Sequence, residues 1–354
     1  MNKVNSVSSG PLTGVLKVRY KMINTILGEL YNPDKGVDVF IDFDTFVKSL
    51  SKYQKYMNYL PFSGEEGEIQ ADLMSSFLTT LNHWKNFAKK WGNVRIIGFM
   101  NPFKFNKPVV ERKHLKSYLI PHENTYDDMR YRQFTYYVSE AVKKVQTILK
   151  YVPNMYLLQP DDFDAYMIPN ILDYYSKSGR CRIIISGNPL LTGYHNQPNT
   201  KVIYTKFKRK ENYQLSDPLM IVQSFTKVDD DIMSTFCENK VFYNLLNVIV
   251  GDFDRGILGL TQLGITSFAY SLTRGVEKNT IRKDPKSVES TLPVIDPVYH
   301  DYVLKSYPLV DIDSHTKMIP ESSIQNFKSN MIDLVDIDGL QSLSIDGMNL
   351  LELL

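Results

Sequence analysis

Five short apolar runs mark the first two thirds of this chain, and each is followed by a stretch of different periodicity. The runs are Val37-Asp38-Val39-Phe40-Ile41-Asp42, Val94-Arg95-Ile96-Ile97-Gly98-Phe99-Met100, Met155-Tyr156-Leu157-Leu158, Cys181-Arg182-Ile183-Ile184-Ile185 and Val202-Ile203-Tyr204-Thr205. Runs that are apolar throughout read as strands covered on both faces. Residues 46–59, 71–91, 134–151 and 163–176 between them carry apolar side chains at helical spacing. This alternation predicts an α/β fold, a mostly parallel central sheet with helices on both faces.

Ligand sites of such sheets lie at the carboxyl ends of the strands. Here those ends carry Asp42, Asn101, Gln159 through Asp162, and Ser186-Gly187-Asn188. Loops are polar wherever they start, so no single one of these positions marks a site. The double acid Asp161-Asp162 is the least ordinary of them.

A chain of 354 residues exceeds one small core, so two lobes or one enlarged domain are expected. Hydrophobic content of 43% and charged content of 23% are those of a folded soluble protein. The net charge is +2, but it is unevenly spread. Residues 311–354 hold eight acids and two lysines, a balance of −6, which leaves about +8 for residues 1–310. A basic body with an acidic tail fits a nucleic-acid binder, and equally a solvated surface with a loose tail. Cys181 and Cys237 offer neither metal spacing nor a disulfide framework, which points to a reducing cytosol. No signal-peptide core and no run of 18 apolar residues is visible, so no membrane partner is expected.

Four segments in order resemble the flap endonuclease and 5′-3′ exonuclease superfamily, its phage members above all. They are Phe40-Ile41-Asp42-Phe43, Gln159-Pro160-Asp161-Asp162-Phe163-Asp164-Ala165-Tyr166, Ile184-Ile185-Ser186-Gly187-Asn188-Pro189-Leu190 and Gly251-Asp252-Phe253-Asp254-Arg255-Gly256-Ile257-Leu258-Gly259. The resemblance covers about Val37 to Leu272. It implies a PIN-like core at 37–215 after an N-terminal segment at 1–36. A helical arch inserted at 102–133, a helix-hairpin DNA-binding region at 216–300 and a tail at 301–354 complete the expected layout. That family's chemistry is phosphodiester hydrolysis with two Mg²⁺ or Mn²⁺ ions about 4 Å apart.

Carried over residue by residue, Asp42, Asp161, Asp162 and Asp252 match metal ligands, and Asp42 and Asp162 are the expected catalytic pair. Asn101, Gln159, Asn188, Leu190 and Arg255 stand where the resemblance expects further acids. Amides keep an oxygen but no charge, leucine donates nothing, and a guanidinium repels a cation. At most one ion is therefore expected. Asp44, Asp164 and Asp254 are extra acids nearby, with helix capping as their ordinary use.

Lys104, Lys107, Arg112, Lys113, Lys116, Arg130 and Arg132, interleaved with Phe103, Phe105 and Tyr118, would form the arch. Cations between aromatics suit a backbone track with base stacking. Lys206, Lys208, Arg209 and Lys210 form a second basic cluster, and Gly259 through Gly264 would offer backbone N–H groups to a phosphate. In the tail, Leu309-Val310-Asp311-Ile312-Asp313 recurs as Leu334-Val335-Asp336-Ile337-Asp338. Alternating acids and aliphatics in 309–354 suggest a docking peptide for a protein partner, or a last element packed on the body. The expected function is structure-specific binding of DNA flaps, forks or junctions on an impaired 5′-nuclease scaffold, in phage or viral replication or repair. A live nuclease with altered ligands and an assembly protein reusing the fold are the alternatives. The expected location is the cytosol, the bacterial host's for a phage protein.

Overall fold

The structure is a computed structural model describing residues 36–51, 66–89, 93–101, 128–176, 179–188, 191, 193–194, 197–205, 213–215, 239–251, 257, 259–260 and 265–332. The sheet is built from β1 (Val37–Asp42), β2 (Val94–Phe99), β3 (Met155–Leu158), β4 (Cys181–Ser186), β5 (Thr200–Thr205) and β6 (Tyr213–Leu215). Its order is β3-β2-β1-β4-β5-β6. The first five strands pair in parallel, and β6 adds an antiparallel edge to β5. The mostly parallel α/β architecture read from the apolar runs is what the chain forms.

Alternation along β1 shows why its run is continuous. Val37, Val39 and Ile41 enter one core, with helices α1 (Phe43–Ser51), α2 (Glu66–Ala88) and α3 (Asp128–Leu149). Phe40 enters the other, with Ile168 and Ile171 of α4 (Ile168–Ser176). A strand with period-2 side chains between two helical layers needs apolar residues on both faces, and in β1 only Asp38 and the terminal Asp42 depart from that. Gly98 on β2 lets α1 close in, since a Cβ there would sit 2.5 Å from the Phe43 ring.

A second core is helical. It joins α5 (Lys240–Val250), α6 (Ile265–Glu277) and α7 (His300–Val310) through Phe242, Leu245, Leu272, Tyr302 and Leu309. Gly251 ends α5 at φ 81°, and a Cβ on it would lie 2.4 Å from the Gly259 nitrogen. Leu260 N–H then donates to the Ile249 carbonyl at 2.7 Å. Gly259 itself is buried at φ 72°. Gly259 and Leu260, the described part of the segment expected to face phosphate, are thus clamped to the end of α5, and 261–264 lie outside the described residues.

Residues 309–332 take the second of the two uses read for the tail: they pack on the body and do not form a loose docking peptide. Asp311 accepts the Ser314 N–H as the N-cap of α8 (Ile312–Met318), and α9 (Glu321–Ile332) follows. Ile312, Ile319, Ile324 and Phe327 are buried in the sheet's second core, and Phe327 meets Phe163 edge-on at 5.4 Å. Aliphatics outweigh the tail's acids here because the acids find partners: Lys240 bridges Asp311 at 2.7 Å and Asp313 at 2.6 Å. Residues 333–354 lie outside the described set.

Candidate functional site

The strand order places a topological switch beside β1, where the chain turns from β3 back to β4. Crevices at such points, at the carboxyl ends, are where open α/β sheets bind ligands. Asp42 ends β1 there and is fully buried. It accepts the Thr45 N–H at 3.1 Å and the Thr45 hydroxyl at 2.6 Å, and Ser186 at the end of β4 donates its hydroxyl to the same Oδ2. Asp42 precedes the first residue of α1, so the Thr45 N–H bond is an N-cap. Asn188 N–H donates to Ser186 Oγ at 2.9 Å, which holds the hydroxyl toward Asp42.

The second cluster centres on Asn101, just beyond β2 and buried. Its backbone N–H donates to both carboxylate oxygens of Asp44, at 3.1 and 3.2 Å. Its side-chain Nδ2 donates to Asp44 Oδ2 at 2.9 Å and to Asp164 Oδ1 at 3.2 Å. Its Oδ1 accepts the Ala165 N–H at 2.8 Å. Asp164 in turn accepts the Tyr166 N–H at 3.0 Å and caps the 3-10 turn Ala165–Met167. Gln159 Nε2 reaches the Asn101 carbonyl at 3.4 Å.

The sequence reading placed Asp161 and Asp162 as ligands. Both stand exposed in the bend after β3, while Asp164 is the acid of that segment turned into the protein. Among the described residues, no group of three or more His, Cys, Asp or Glu side chains is disposed to hold a metal ion. Asp252, Arg255, Leu190 and Gly264 lie outside the described residues. So do Lys104, Lys107, Arg112, Lys113 and Lys116 of the arch and the cluster Lys206, Lys208, Arg209 and Lys210. Arg130 and Arg132 fall on the first turns of α3, with only their backbone described.

One cationic feature escaped the sequence reading. On α6, Phe268, Leu272 and Gly275 face inward, and Tyr270 and Arg274 face out. Lys278 continues the same line, its N–H bonded to the Arg274 carbonyl at 2.9 Å. Exposed Arg282 and Lys283 follow. An aromatic and two cations at i, i+4 and i+8 form one outward stripe. The spacing was there to be read, but Arg274 and Lys278 lie past Leu272, where the resemblance ends. No described helix is long and apolar enough to cross a membrane.

Several solved structures are similar to this chain. T5 5′-exonuclease with bound divalent metal ions (zinc) superposes with a TM-score of 0.50 at 12% identity, over 85% of this chain and 100% of that one. The T5 D15 protein co-crystallised with metal ions gives 0.48 at 14% identity, over 84% and 99%. A pseudo-enzyme–product complex of the bacteriophage T5 flap endonuclease with DNA and metal ions gives 0.47 at 11%, over 83% and 98%. No protein-family model matches the chain, and no curated protein does. At 12% identity the first likeness establishes a shared fold.

Proposed function

We propose that this protein binds structured DNA on a 5′-nuclease scaffold whose metal centre is reduced, so that it holds flaps, forks or junctions without efficient cutting. One observation carries this reading. Asp42, the carboxylate on the central strand, is fully buried and accepts three hydrogen bonds from Thr45 and Ser186. A carboxylate has about four lone-pair positions, and three of them point at protein donors. Hard divalent ions need several charged oxygens free to converge. The set at hand does not fit an ion pair: Asn101 is turned as a donor, Gln159 and Asn188 are neutral, and Asp44 and Asp164 already accept from Asn101. If an ion binds, Asp161, Asp162 and Asp252 are the residues left to hold it.

The grip on DNA is assigned to the arch lysines and arginines, to the 206–210 cluster and to the α6 stripe. Tyr270 offers a stacking face, and Arg274 and Lys278 offer phosphate contacts. The fold shared with a phage 5′-exonuclease supports a polynucleotide partner. A protein partner would use residues 333–354, since 309–332 are packed. The second reading, a live nuclease with shifted ligands, draws on the exposed neighbours Asp161 and Asp162.

A labelled 5′-flap substrate separates the two, with and without Mg²⁺ or Mn²⁺. The expected result is salt-sensitive binding and no product. Arg274→Ala and Lys278→Ala should each lower the slope of log affinity against log salt by about 0.9. Cutting that vanishes in Asp162→Ala would establish the nuclease reading instead.

A further inference from the structure

We propose that Asn101 does by hydrogen bonding what a bound cation would do by charge, tying two acids that follow β1 and β3 to the end of β2 without a metal. The inference rests on the reduced-site reading above but makes its own claim about one residue. Asn101 follows β2. Asp44 belongs to the helix entered from β1, and Asp164 follows β3. The amide is within hydrogen-bond distance of both carboxylates, at 2.9 and 3.2 Å.

The orientation of this amide is fixed by its surroundings. Carboxylate oxygens accept, so the atom facing Asp44 and Asp164 must be the NH₂. The Ala165 N–H donates, so the atom it meets at 2.8 Å must be the carbonyl oxygen. Turning the amide over would break all three bonds at once. Position 101 is therefore a positioning residue: it orders Asp44, Asp164 and the 3-10 turn that Asp164 caps.

An aspartate at this position has the same shape and the opposite consequence. It has no N–H to donate, and it would set a third carboxylate against two others within hydrogen-bond reach. Like charges at such distances repel, and a divalent cation is the natural relief. The amide thus selects a metal-free arrangement, and the acid would select a metal-dependent one.

Thermal unfolding of the full chain tests this, in EDTA and in excess Mn²⁺, for wild type, Asn101→Asp and the swap Asp44→Asn/Asn101→Asp/Asp164→Asn. The swap sets one carboxylate between two amides, each able to donate to it. The midpoint of Asn101→Asp should fall by about 4 °C or more in EDTA, and Mn²⁺ should recover most of the loss. Wild type and the swap should differ little from each other and respond weakly to Mn²⁺. Three results would overturn the proposal: wild type gaining as much from Mn²⁺ as Asn101→Asp, Asn101→Asp folding but ignoring Mn²⁺, or the swap being as unstable as the single variant. If Asn101→Asp fails to fold in either buffer, the swap decides, since its folding at the wild-type midpoint supports the charge argument and its failure refutes it. Flap cutting by wild type would sink the proposed function while leaving this result untouched.

Discussion

Two aspartates on β1, four residues apart, are neutralised in different ways. Asp38 is near the amino end of the strand. Arg180 donates to it from Nε at 2.6 Å and Arg95 from Nε at 2.8 Å, with a second Arg95 bond closing the fork. Arg180 also caps the Val37 and Asn93 carbonyls, at 3.1 and 2.8 Å. Burial alone would lower the Arg95 pKa, but the hydrogen bond and charge of Asp38 raise it above its ordinary value. Asp42, at the other end, accepts from two hydroxyls and a backbone N–H. The difference separates an ionic rivet at the amino end of the strand from a hydrogen-bonded acid at the carboxyl end, where open α/β sheets bind ligands. Buried ion pairs are costly to break on one side, whereas neutral donors to a carboxylate contribute less each.

The largest expected effect follows at the amino end. Asp38→Ala leaves two buried or half-buried guanidinium groups facing each other and should lower the unfolding free energy by about 3–5 kcal/mol, read from denaturant midpoints. Asp42→Asn keeps the shape and one acceptor, and should cost about 1–2 kcal/mol. If the two variants cost the same, the distinction between the two ends fails.

A third acid sharpens the comparison away from the sheet. Burial would raise Asp311, but hydrogen bonds from Lys240 and Ser314 and the Lys240 charge bring it below the ordinary aspartate range. A depressed carboxyl contributes stability above its unfolded pKa and loses it as pH falls through the lower folded value. Wild type should therefore lose more stability than Lys240→Ala on acidification below about pH 4. Lys240 is 44% exposed, so the difference should stay under about 1 kcal/mol. Equal acid losses in the two proteins would place this pair among ornamental surface contacts.

The sheet was legible because its apolar runs are continuous, and continuity on a two-faced strand has few other meanings. Asp42 was legible because it ends the best-defined of those runs. The turn after β3 was not. Asp161, Asp162 and Asp164 lie within four residues, and neither helical nor strand period says which one points inward. Capping decided it, because only Asp164 is placed to accept the Tyr166 N–H. The direction in which Asn101 turns its amide was beyond sequence reading, since it depends on two acids 57 and 63 residues away. The packing of α8 and α9 was legible only as one of two uses of the tail, since a free peptide shows the same alternation of acids and aliphatics. Lys240, 71 residues before Asp311, supplies the partner that no local pattern reveals.

The central claim is that the crevice at the carboxyl ends commits its acids to protein donors and does not seat two divalent ions. Counting bound Mn²⁺ on the wild-type protein by electron paramagnetic resonance tests it most directly. The account predicts fewer than two ions per chain and no spin coupling between them. Two ions coupled at a spacing of about 4 Å would contradict it.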